Sequence, residues 1–139
     1  MNIKERACQL VEKLYGVEVS VEDIAWGGFA RSHKSQIVVS RDAEKDTAYF
    51  ISVLFHEAGH IHCYRNRIYP AYHGIWGIPM LNKKEKRAVV LTGWKAEKFV
   101  DAWAEKEMKK HFPQYKFYKG YECEADRKWL HDNHLYKWK

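Results

Sequence analysis

Cysteine is scarce in this chain and poorly placed for bridging. The 139 residues hold three, Cys8, Cys63 and Cys123, an odd number at wide spacing. That excludes a disulfide framework and points to a reducing compartment. Long apolar runs are missing as well, and nothing approaches the roughly 20 residues of a helical membrane span. No internal repeat or low-complexity stretch is visible. The opening Met1-Asn2-Ile3-Lys4-Glu5-Arg6 leads into an amphipathic helix pattern rather than a secretory leader. These absences set the expectation of one globular domain over 1–139, cytoplasmic, with no membrane partner.

What is present suits a packed fold. The chain is 46% hydrophobic, and its six Trp and nine Tyr can fill a core. Ile3, Ala7, Leu10, Val11 and Leu14 recur at helical spacing, and Gly16 stops that helix. Val17, Val19 and Val21 alternate as a strand does, and Gly27-Gly28 punctuates. Phe29–Ser32 and Gln36–Ser40 read as a hairpin across His33-Lys34-Ser35. A helix follows from about Lys45 to Tyr64. Residues 65–82 read as irregular. Asn82 caps a further helix from Lys83 to about His111, disturbed at Gly93 and ended by Pro113. Glu122 to Asn133 is a last short helix. The expected class is therefore α+β, a short three-stranded sheet packed with helices, divided into an N-terminal helix (1–16), a core (17–110) and a C-terminal extension (111–139).

Inside the helix of residues 45–64 stands His56-Glu57-Ala58-Gly59-His60. Histidines four apart lie one turn apart on one helical face, so both imidazoles can reach a single Zn²⁺. The glutamate beside the first can take a proton from a water activated there, as a general base. The preceding Ala48–Phe55 is apolar almost all round, which marks a buried helix. Histidines and a glutamate on such a helix need partners, because unpaired burial is costly. A metal is one. Gly59 is a weak helix former, and its missing side chain leaves room close to the metal.

A catalytic zinc keeps three protein ligands and one open position. Glu97 is the best third ligand, with Asp101 one turn on to orient a histidine through its spare ring nitrogen. Ala96, Val100 and Ala104 make that side of the helix small enough to pack closely on another. Cys63, Asp101 itself and the Glu122-Cys123-Glu124-Ala125-Asp126 cluster compete for the same place. His62 lies on a different helical face, and Cys63 reads as a buried thiol. In the irregular segment Tyr69, Tyr72 and His73 are donors that can stabilise an oxyanion.

His56-Glu57-x-x-His60 followed by Glu97-x-x-x-Asp101 resembles the gluzincin group of zinc metallopeptidases, of which thermolysin is the familiar member. The 36 residues between His60 and Glu97 make a longer separation than thermolysin's. The short chain looks more like the minigluzincins and the small phage or mobile-element peptidases that cleave repressors. The resemblance covers about residues 17–110. It implies a zincin-like fold, a single zinc ion, a protein or peptide substrate and a bacterial or phage-infected cell. It also implies that the extended run Gln36–Ser40, with Ile37, Val38 and Val39, is the edge strand that aligns substrate. The metzincin pattern fails, since Cys63 and Asn66 stand where its glycine and histidine belong.

Net charge is +6, and residues 109–139 carry +4 of it along with eight of the 21 aromatics. Basic residues interleaved with aromatics can track phosphates and stack bases, so a weak nucleic-acid contact through the C-terminal region is an alternative role. Three readings stand at this point. The first is a zinc metalloendopeptidase with His56, His60 and Glu97 on the metal and Glu57 as base. The second is a binding, virion or regulatory protein on the same scaffold with structural or vestigial zinc. The third is a peptidase delivered to DNA-bound targets by its tail. An intact Glu57 favours chemistry, because a structural site needs no general base.

Overall fold

The computed structural model describes residues 1–25, 27–73 and 83–119. Helix α1 covers Ile3–Tyr15, and strands β1 (Glu18–Glu22), β2 (Gly28–Arg31) and β3 (Gln36–Ser40) follow. Helix α2 covers Thr47–Arg65, a single turn α3 covers Pro70–His73, and the long helix α4 covers Lys83–His111. The expected α+β class holds.

Local signals explain most of these boundaries. Asn2 caps α1 by accepting from the Glu5 amide at 2.9 Å, and Gly16 ends it in the left-handed conformation at φ 61°, which glycine adopts without a Cβ penalty. Asp46 caps α2 by accepting from the Tyr49 amide at 3.1 Å. Helix α4 runs straight through Gly93, where a disturbance was expected, and stops before Pro113. The Asn82 cap and the helix over 122–133 fall outside the described residues.

The sheet order is β1-β3-β2, with β1 parallel and β2 antiparallel to β3. This corrects one expectation. Ile37, Val38 and Val39 lie on the central strand, paired on both sides and buried, so they offer no edge to a substrate. The physical sign was in the residues themselves. Three consecutive β-branched apolar side chains place bulk on both faces, the composition of a covered central strand rather than a half-wet edge. The edge strand that packs on α2 is β2. A Cβ on Gly28 would come within 2.6 Å of Val53 Cγ1 and 2.8 Å of the Val38 carbonyl, so only glycine lets β2 sit this close.

Helix α2 is the centre of the molecule. Phe50, Ile51, Leu54, Phe55, Ala58 and Ile61 are all buried, against α1 and the sheet on some faces and α4 on another. Helix α4 meets it through Ala96, Val100, Ala104 and Met108, one per turn and all buried. Arg65 at the end of α2 ties distant parts together, donating to the carbonyls of Tyr15 and Gly16 and to Ser35 Oγ. No helix among the described residues is long and apolar enough to cross a membrane.

Candidate metal centre

His56 and His60 stand one turn apart on α2 and face α4. Their Nε2 atoms are 3.1 Å from each other. Glu97 closes the triangle, with Oε2 3.1 Å from His56 Nε2 and Oε1 3.2 Å from His60 Nε2. Asp101, one turn further along α4 and 2% exposed, lies 2.6 Å from His56 Nδ1. Close approach of the two helices makes this possible. A Cβ on Gly59 would come 2.8 Å from Val100 Cγ1 and 3.2 Å from the Trp103 ring. The room left by Gly59 therefore admits α4, which carries Glu97 and Asp101 to the two histidines.

Proton bookkeeping shows what such a triangle needs. His73 Nδ1 faces the carbonyl oxygens of Ile68 at 2.8 Å and Tyr69 at 3.3 Å. Carbonyls only accept, so that nitrogen carries a proton. His73 Nε2 is then an acceptor in the neutral ring, and it lies 3.0 Å from His60 Nδ1, which must donate to it. His56 Nδ1 likewise donates to the Asp101 carboxylate. Both Nε2 atoms are left as lone pairs, and they converge with the Glu97 carboxylate. Three acceptors within about 3 Å repel unless a cation lies among them. A proton or a metal ion meets the need. Tetrahedral zinc with bonds near 2.1 Å sets its donors about 3.4 Å apart, close to the spacing here, and two imidazoles with one carboxylate are a zinc-type donor set. His56, His60 and Glu97 form a group able to hold a metal ion.

The titration behaviour follows the same logic. Burial opposes charge on His56, but its bonds to Asp101 and Glu97 outweigh that and raise it well above 6.5. Burial opposes charge on His60 too, and Glu97 overcomes it. Burial would raise Glu97, yet the two histidines hold it well below 4.5. His73 moves down, from burial first and then the charge of His60, so its ring is neutral. Burial pushes the Cys63 thiol up to about 12. The thiol is fully buried, and the ligand atoms close enough to share one ion come from His56, His60 and Glu97, not from Cys63. His62 stacks on the Trp103 ring, with centroids 4.8 Å apart.

Glu57 is 7% exposed and turns toward β2, where a Cβ on Gly28 would lie 3.6 Å from Glu57 Cγ. The three oxyanion candidates separate. Tyr72 belongs to the site, its hydroxyl donating to Glu97 Oε1 at 2.5 Å. Tyr69 packs edge-on against Phe99. His73 is 2% exposed and sits behind His60 with both ring nitrogens engaged, so it is no oxyanion donor. Spacing gave no hint of its real place, since twelve residues and a tight turn lie between it and His60. The available signal was chemical: each metal-facing histidine needs a partner for its other nitrogen, and Asp101 serves only one of them. The Glu122–Asp126 cluster and most of the basic aromatic tail lie outside the described residues. Comparison with family models, curated proteins and solved structures returns no match.

Proposed function

We propose that this protein is a zinc-dependent metallopeptidase of the zincin kind. The observation that carries the reading is the convergence of His56 Nε2, His60 Nε2 and the Glu97 carboxylate within 3.1–3.2 Å, with buried Glu57 on the adjoining face of α2. His56, His60 and Glu97 hold the ion. When bound, zinc acidifies water and polarises a carbonyl oxygen. Glu57 takes the proton of the attacking water and passes it to the leaving amine. Asp101 orients His56. Tyr72 supplies a hydroxyl donor for the oxygen that gains charge.

A peptide substrate pairs with the outer edge of β2 by strand addition. No strand among the described residues occupies that edge, and Gly28 seats β2 against Glu57, so an added strand runs past the base. The decisive experiment uses the whole chain. One zinc per wild-type chain is expected, and none in the His56→Ala/His60→Ala double variant. Glu57→Gln retains the metal and loses cleavage of a peptide-library substrate by about 10²–10⁴-fold. Equal metal content in wild type and the double variant, or equal cleavage by Glu57→Gln, refutes the reading.

A further inference from the structure

We infer that His73 is a positioning residue for His60: its ring, anchored through Nδ1–H to the Ile68 carbonyl, presents Nε2 to His60 Nδ1 and fixes His60 as the tautomer whose Nε2 lone pair faces His56 and Glu97. The inference rests on the metal-binding half of the reading above and not on peptide hydrolysis.

The anchor is built from the main chain of the same region. The Ile68 amide donates to the Cys63 carbonyl at 2.9 Å, which ties the turn to the last residues of α2. Arg67 and Tyr69 both take positive φ, 54° and 49°, an uncommon conformation for side chains of this size. Pro70 then starts a single helical turn whose Tyr72 and His73 amides both donate to the Tyr69 carbonyl at 3.0 Å. Helix α2 therefore carries His60 and, through Cys63 and Ile68, also fixes the group that orients it. The ring of His73 lies 5.2 Å from that of His60 and is almost wholly buried, so water does not compete for either nitrogen.

The choice of residue follows from charge. Asp101 already places one carboxylate behind His56, and Glu97 and Glu57 add two more close by. A further carboxylate behind His60 would repel these. A neutral imidazole accepts the same hydrogen bond without adding a charge.

The test uses the full chain with His73→Phe, which keeps a ring but no acceptor, and His73→Gln, which keeps an amide acceptor. Zinc affinity is read by competition with a chelator, and donor geometry by the visible absorption of the Co²⁺-loaded chain. His73→Phe should bind zinc about 10–100-fold more weakly, with His73→Gln recovering part of the loss. Nitrogen-15 NMR of the wild-type chain, metal-free and zinc-loaded, should show His73 protonated on Nδ1 and bare on Nε2. Should His73→Phe fail to fold, the Gln variant and the NMR result decide. A folded His73→Phe chain that binds zinc within about twofold of wild type overturns the inference, since loss of an orienting partner costs far more. So does a His73 ring protonated on Nε2. Absence of zinc from wild type itself would refute the metal reading instead, and the metal-free NMR spectrum would still judge His73.

Discussion

Gly59 lies directly beneath Val100. A methyl group on Gly59 would meet Val100 Cγ1 at 2.8 Å and approach the Val100 carbonyl to 3.4 Å. Gly59 falls between His56 and His60 on α2, and Val100 between Glu97 and Asp101 on α4. Gly59→Ala gains about 1 kcal/mol of helix propensity, but overpacking of this kind costs about 1–3 kcal/mol. The steric term should win and push α4 outward at Val100, between Glu97 and Asp101. Lower thermal stability together with weaker zinc binding is expected. A variant more stable than wild type with unchanged zinc affinity would show that α4 yields without cost.

Glu97 and Asp101 share a helix face but differ in what they touch. Glu97 meets both Nε2 atoms, whereas Asp101 meets only His56 Nδ1. Losing an orienting partner lowers metal affinity by about 10–100-fold, and losing a ligand costs more. Chelator competition should therefore rank Glu97→Ala below Asp101→Asn. The reverse order would move the third ligand to Asp101.

Much of this was readable without coordinates. Hydrophobic period located α1, α2 and α4, and Gly16 marked the end of α1, where its amide bonds the Glu12 carbonyl four residues back. The donor triangle was readable too, since the i, i+4 pairs in both helices force their groups onto single faces. Strand order was not. Three β-branched residues in a row at 37–39 mark a covered strand, but only the pairing itself puts β1 on one side of it and β2 on the other. His73 was illegible for a similar reason. Its placement depends on positive φ at Arg67 and Tyr69, two residue types that do not advertise such a turn.

In the metal-free chain, protons take the place of the missing cation, and the sign of the effect is fixed. His56 and His60 are raised above 6.5, so their contribution is complete below that pH and is lost as pH rises through the folded values. Glu97 is depressed below 4.5, so its contribution is present above that pH and is lost as pH falls through its folded value. His73, held down, works against the first trend, so a difference between two chains is the cleaner measure. The melting-temperature advantage of metal-free wild type over Glu97→Gln should peak near about pH 5–6 and shrink on both sides. Zinc requires the same nitrogens unprotonated, so its stabilising effect should instead grow with pH. A difference that stays flat from pH 4 to about 9 would mean that Glu97 is not paired with the two histidines.

Tyr72 is the remaining polar group at the triangle. Burial, then the charge of Glu97, holds its hydroxyl well above 10, so it remains a donor across the working range. Its ring is packed on Gly93, where a Cβ would come 3.2 Å from Tyr72 Cε2. With the ring held there, the hydroxyl stays at the Glu97 carboxylate, next to both imidazoles. Two roles follow, and kinetics separates them. A donor to the charge that develops on the substrate oxygen acts only in the transition state, so its removal lowers kcat and leaves KM nearly unchanged. A donor that merely steadies Glu97 shows itself in zinc affinity. Tyr72→Phe should keep one zinc per chain and lose about 10²–10³-fold in kcat on a peptide substrate. Wild-type kcat in a Tyr72→Phe chain with weakened zinc binding would assign Tyr72 to Glu97 alone.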